Sequence, residues 1–198
     1  MNILFIALDT LRADHLGCYG YTVPTSPTID RLAREGVVFT NAYATSSNTL
    51  ESVFSFFNCS TALTNNVHIH TPAEIKYISV GSVQKYLKRA GYDVHWIGKN
   101  DLLSPGAFPD SVTRVHDWQW RGGGSRDIFR LDEPGYQSFL YGPSPGHMTD
   151  WFQMDQAVEF LRSRRSGDAP FMLYLPFVLP HCPFTCPQPW YDMVDSDA

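Results

Sequence analysis

The run Ile3-Leu4-Phe5-Ile6-Ala7-Leu8 empties directly into Asp9-Thr10-Leu11-Arg12. An unbroken apolar run of strand length reads as a strand buried in a parallel sheet, and parallel strands need crossover connections, so the opening points to an α/β architecture. A carboxylate at the exit of such a strand stands where open α/β sheets bind ligands. The rest of the chain keeps the alternation. Ser26-Pro27 supplies an N-cap and a first helical residue, Ile29, Leu32 and Ala33 follow at helical spacing, and Gly36 suits the position after the helix. Val37-Val38-Phe39-Thr40 then reads as a strand. A second helix is expected from Val83 to Ala90, with Val83, Leu87 and Ala90 on one face and Gly91 closing it, followed by a strand over Asp93-Val94-His95-Trp96-Ile97. Thr149 can cap a third helix with Trp151, Met154, Val158 and Leu161 as its apolar stripe, and Phe171-Met172-Leu173-Tyr174-Leu175 reads as a buried strand. The prediction is an α/β fold, a mostly parallel sheet flanked by helices with right-handed crossovers. From Leu103 to Pro145 the pattern breaks up around Gly122-Gly123-Gly124 and the aromatic residues Trp118, Trp120, Phe129 and Tyr136, which predicts an irregular insertion or a substrate-facing loop system.

With 198 residues, 43% of them hydrophobic, the chain can bury a core and amounts to one domain or slightly more. A net charge of -5 with scattered Lys and Arg leaves no basic footprint, so nucleic acid is excluded as a partner. No apolar run approaches the roughly 20 residues that span a bilayer, and Ile3–Leu8 lacks the features of a signal segment, so the expectation is a cytoplasmic location with no membrane partner. Cys18, Cys59, Cys182 and Cys186 have no zinc-knuckle spacing and read as ordinary thiols.

Asp9, Lys99 and His181 each follow a strand candidate closely. In a parallel sheet all three would gather at one edge, and their types suit a metal and an anion. Any one of them alone is explained by the need of turns for polar groups.

Four stretches carry a resemblance to the sulfatase family of the alkaline-phosphatase superfamily. The opening through Arg12-Ala13-Asp14-His15-Leu16-Gly17-Cys18-Tyr19-Gly20-Tyr21 is similar to the family's start. Asn41 to Val53 resembles, without gaps, the stretch leading into the nucleophile motif C-x-P-S-R, with Thr49 on the nucleophile position. Gly98-Lys99-Asn100-Asp101 resembles the G-K-W-H element, and Leu179-Pro180-His181-Cys182-Pro183-Phe184 the segment with a second substrate-contacting histidine. The resemblance implies residues 1–198 as the N-terminal portion of a sulfatase-like catalytic domain, with the irregular insertion near 103–145. It implies Asp9 and Thr49 as ligands of a divalent cation, Ca²⁺, Mg²⁺ or Mn²⁺. Thr49 would be the nucleophile, Lys99 would contact the anion's oxygens, and His181 the substrate or leaving group. Asp14 and His15 read as structural.

The departures matter as much. Thr49 cannot become the formylglycine that sulfatases make from Cys or Ser, though a threonine can attack as an alkoxide, and a helix N-cap is its other reading. Glu51 and Val53 replace the motif's Pro and Arg, Asp101 replaces its His, and Thr10 follows Asp9 where many sulfatases carry a second Asp. The family's remaining metal ligands lie beyond the matched region, so a chain of this extent reads as an incomplete hydrolase. The expected function is metal-dependent hydrolysis of sulfate esters, on small-molecule or glycan substrates. The alternatives are a threonine-nucleophile phosphoryl or phosphoethanolamine transferase or phosphoesterase, and a catalytically degenerate member that binds an anion or a partner.

Overall fold

The computed structural model describes residues 1–61, 64, 82–103, 105–116, 140–144, 149–181 and 184–194. They fall into two compact units, one of Met1–Ala7, Ala44–Trp120 and Thr149–Val178, the other of Leu8–Tyr43, Arg121–Met148 and Leu179–Ala198. In chain order the strands are β1 (Ile3–Leu8), β2 (Asp93–Trp96), β3 (Arg114–Val115), β4 (Leu140–Ser144), β5 (Phe171–Phe177) and β6 (Phe184–Pro187). The helices are α1 (Pro27–Glu35), α2 (Thr49–Asn58), α3 (Val83–Arg89), the single turn α4 (Phe108–Ser111) and α5 (Thr149–Ser163).

The first unit is built on a sheet of order β1-β5-β2-β3. β2 pairs in parallel with both neighbours, Asp93 to Trp96 facing Phe171 to Tyr174 on one side and His95-Trp96 facing Arg114-Val115 on the other. The predicted parallel α/β sheet flanked by helices is what forms. On one face, Leu50, Val53, Phe54 and Phe57 of α2 pack with Val94, Trp96, Met172 and Tyr174. Tyr174 is the hub, edge-to-face with Phe57 and Trp96 at 4.7 Å each and stacked on Phe5 at 5.4 Å. On the other face Phe171, Leu173, Leu175 and Ile97 pack with Ala157 and Phe160 of α5.

Several sequence expectations change here. β1 alternates rather than being buried throughout: Ile3, Phe5 and Ala7 pack on the core while Leu4 and Ile6 are nearly half exposed. Val37–Thr40 forms no strand, and Val37 and Phe39 are 81% and 72% exposed, because no neighbouring strand pairs with it among the described residues. α3 forms as expected with Gly91 at φ +87°, but Ala90 is exposed and Gln84 takes the buried position. In α5 the stripe Met154, Val158 and Leu161 faces solvent, and Gln153, Ala157 and Phe160 face the sheet. Both sets have the same four-then-three spacing, so periodicity could not separate them; contact with the sheet decided. Trp118, Trp120, Phe129 and Tyr136 lie outside the described residues, as does Cys182. Cys18 and Cys59 are free thiols.

In the second unit α1 begins at Pro27 as predicted, but the Ser26 hydroxyl does not cap it. It accepts the Gly17 N–H at 3.0 Å and donates to Asp30 at 3.1 Å, while Asp30 also accepts the Cys18 N–H at 2.8 Å. These bonds tie the two 3₁₀ turns Ala13–His15 and Gly17–Tyr19 to α1. Gly36 ends the helix in an extended conformation, φ −124°, rather than a left-handed one. β4 and β6 pair in parallel in the same unit. No helix among the described residues is long and apolar enough to cross a membrane.

Candidate functional site

Asn48, not Thr49, caps α2: its side chain accepts the Leu50 N–H at 3.2 Å, and Thr49 is the first helical residue. Thr49 is half-buried at the positive end of a ten-residue helix. Ser46 braces the same turn. It accepts the Asn48 N–H at 3.1 Å, its carbonyl accepts the Ser52 hydroxyl at 2.8 Å, and its own hydroxyl donates to the Glu51 carboxylate. Glu51 therefore serves the helix start, where a negative charge is favourable. Val53, on the position of the family's arginine, is 8% exposed inside the α2 core. No guanidinium supports Thr49 from that position.

Lys99 sits on the turn leaving β2. Gly98 adopts φ +136°, and a Cβ there would stand 2.7 Å from the Pro176 carbonyl oxygen of β5. The turn is pinned by the Trp96 indole N–H donating to the Lys99 carbonyl at 3.1 Å, and by Asn100, which accepts the N–H groups of Leu102 and Leu103 at 3.1 and 2.9 Å. The Lys99 ammonium lies 3.1 Å from Asp101, both about one quarter exposed. The residue on the family's histidine position thus neutralises the cation that an anion would seek. α2, which Thr49 begins, and β2, which Lys99 follows, bury side chains in the same cluster.

Asp9 and His181 belong to the second unit. Asp9 directly follows β1 and is half-buried, and Thr10 after it is held at φ +62°. That left-handed conformation is costly for a β-branched residue and favours Asn, Asp or Gly. His181 follows β5 by four residues, after the cis bond between Leu179 and Pro180. Asp14 forms a two-point ion pair with Arg12, at 2.9 and 2.5 Å, which holds its carboxyl below the usual range, and His15 rests edge-on against Tyr21. Both, expected as structural, thus make local contacts here, with Arg12 and Tyr21.

Sequence reasoning missed a polar cluster on the first unit's sheet. Asp93 accepts from His95 Nε2 at 2.9 Å, so His95 Nδ1 accepts in turn from His116 Nε2 at 2.9 Å. Arg164 binds Asp93 at 2.8 Å and lies over the rings of Phe160 and Phe171. Burial pushes His116 down to about 4, helped by the nearby charges of His95 and Arg114, and burial lowers His95 against the pull of Asp93. Below the ordinary histidine value of 6.5 the unfolded chain takes up protons that the folded form refuses until about pH 4. Stability is therefore full above about pH 6.5 and falls as pH drops. For the half-buried His116 the loss at pH 5 is expected to be about 1–2 kcal/mol, read as a falling melting temperature that His116→Gln flattens. A melting temperature with no pH slope between 7 and 5 would refute this.

A hard divalent cation takes about six oxygen ligands. Among the described residues no three His, Cys, Asp or Glu side chains are grouped as a metal site. Asp9 and Thr49 thus do not make a complete cation site by themselves.

Comparison with known proteins places these residues in a family context. The sequence model of the Sulfatase family matches residues 1–197. The chain is 28% identical over 207 residues to the uncharacterized sulfatase YidJ of Escherichia coli K12, covering 94% of this chain and 39% of that protein. In fold it resembles the phosphonate monoester hydrolase of Agrobacterium radiobacter, with a TM-score of 0.69, 19% identity, and coverage of 100% of this chain and 44% of the other. It also resembles a protein solved in complex with its substrate D-glucosamine-2-N,6-O-disulfate, with a TM-score of 0.67, 21% identity, and coverage of 91% and 34%. The chain thus spans less than half the length of each of these proteins. With the family sequence running through nearly every residue and the parallel α/β sheet in place, the chain belongs to the sulfatase family.

Proposed function

We propose that this chain is part of a metal-dependent hydrolase of sulfate esters, acting on a small molecule or a glycan. The observation that carries the reading is the family match over residues 1–197, with a hydroxyl, Thr49, at the start of α2. The neighbour solved with a disulfated glucosamine supports a sugar sulfate as substrate. In this reading Thr49 Oγ1 forms a bond to sulfur as the bond from sulfur to the alcohol oxygen breaks. The threonine proton passes to solvent, and His181 gives the departing alcohol its proton. Water then displaces sulfate from Thr49 and restores the hydroxyl. Lys99 turns from Asp101 to the non-bridging oxygens, where charge accumulates. Asp9 and Thr49 would be ligands of Ca²⁺, Mg²⁺ or Mn²⁺, the remaining ligands coming from outside the described residues. A bound cation would supply positive charge next to the ester.

Thr49 as nucleophile and Val53 in place of the family's arginine favour a second reading, phosphoryl or phosphoethanolamine transfer through a threonyl ester. The fold likeness to a phosphonate monoester hydrolase is compatible with it. The Lys99–Asp101 pair favours a third, a non-catalytic member that binds an anion or a partner. Turnover of an aryl sulfate and of a phosphate monoester, each with and without a chelator, separates the three. Sulfate ester turnover that a chelator abolishes and added Mg²⁺, Ca²⁺ or Mn²⁺ restores is the expected result. Phosphate ester turnover alone would replace it with the second reading, and no turnover of either ester with the third.

A further inference from the structure

The first turn of α5 presents two polar side chains, three residues apart and so on one face, to the exits of the two central strands. Asp150 accepts the Val178 N–H at 2.9 Å, just beyond β5. Gln153 is 1% exposed, and neither its oxygen nor its nitrogen has a hydrogen-bond partner among the described residues. Its Oε1 borders the turn after β2, where a Cβ on Gly98 would stand 2.9 Å from it. Filling this space needs no amide: methionine has nearly the same shape and would leave no buried polar group unpaired. What glutamine adds is a donor and an acceptor set against the backbone of the turn that carries Lys99.

We infer that Gln153 is a positioning residue for Lys99. Its amide pairs with the Gly98-Lys99 backbone when an anion draws the ammonium away from Asp101, and so holds the lysine in its anion-bound position. The turn stays pinned at the Lys99 carbonyl, so Gln153 reaches its backbone by rotating its own side chain, and the Lys99 ammonium rests on Asp101 at 3.1 Å until then. Gly98, Lys99, Asp101 and Gln153 all belong to the first unit. The inference rests on Lys99 as an anion contact in the proposed function, but it does not require turnover.

The test titrates the full 198-residue chain, labelled with ¹⁵N-lysine, with inorganic sulfate and follows the Lys99 amide signal, assigned through Lys99→Arg. The wild-type signal is expected to shift and saturate. Gln153→Met should melt at or above the wild-type temperature yet bind sulfate about tenfold more weakly, the loss of one buried hydrogen bond. Gln153→Met with wild-type affinity would overturn the inference and leave Lys99 in place as an anion contact. A wild-type Lys99 signal indifferent to sulfate would overturn it together with the Lys99 assignment. Should Gln153→Met not fold, hydrogen exchange at the Gly98 and Lys99 amides of the wild type decides: slowing on addition of sulfate supports the clamp, and unchanged exchange overturns it.

Discussion

Thr49→Ala is expected to lower ester turnover by about 10³-fold or more while leaving the melting temperature within a degree or two of wild type. The two halves of this expectation come from different atoms. The hydroxyl is the only part of Thr49 that can form the covalent ester, so alanine removes the reaction's first bond. The helix keeps its start, because Asn48 makes the cap and Ser46 braces Glu51 and Ser52. Alanine is also the better helix former. Thr49→Ser should retain turnover, since serine keeps a hydroxyl at the same place. Asn48→Ala should show the reverse separation, a loss of about 1 kcal/mol of stability from the missing cap. If Thr49→Ala melts far below wild type, Thr49 is chiefly structural and the nucleophile assignment loses its support. If it turns substrate over at the wild-type rate, the assignment is wrong.

Gly98→Ala is expected to cost about 3 kcal/mol, close to what a small domain can lose before a large share of it unfolds. Two independent penalties coincide at this residue. A backbone at φ +136° is one that only glycine adopts at ease. The added Cβ would also lie 2.7 Å from the Pro176 carbonyl and 2.9 Å from Gln153 Oε1. The amide of Gln153 can swing away, but the carbonyl belongs to β5 in the middle of the sheet and cannot. Chemical denaturation of the purified variant reads the effect directly. A loss under 1 kcal/mol would mean that the turn carrying Lys99 relaxes freely, and the pinning of this turn by Gly98, Trp96 and Asn100 would have to be abandoned.

Much of the fold was legible because its elements follow simple periodicities. β1, β2, β5, α1 and α3 stand close to where apolar runs, Pro27 and Gly91 put them, and the parallel pairing follows from their alternation. The failures have identifiable causes. Val37–Thr40 has the composition of a strand, but a strand exists only with a partner, and none pairs with it among the described residues. In α5 two stripes of equal spacing competed, and the one containing a glutamine was buried. Of the candidate site residues, Asp9, Lys99 and His181 were drawn first from their places after strand candidates, and Thr49 from the resemblance alone, since a single hydroxyl carries no periodic signal. Asp93, His95 and His116 could not be read at all: His95 and His116 are 21 residues apart and meet only because β2 and β3 pair in register. Asp101 was noted as a departure, while its ion pair with Lys99 needed coordinates to appear.

The most direct test of Thr49 as the nucleophile is peptide mass spectrometry of the wild-type chain, quenched with acid during turnover of an aryl sulfate. The reading predicts a sulfated peptide whose modification maps to Thr49 and which disappears in Thr49→Ala. Steady turnover in which Thr49 is recovered only unmodified, and which persists in Thr49→Ala, would contradict it.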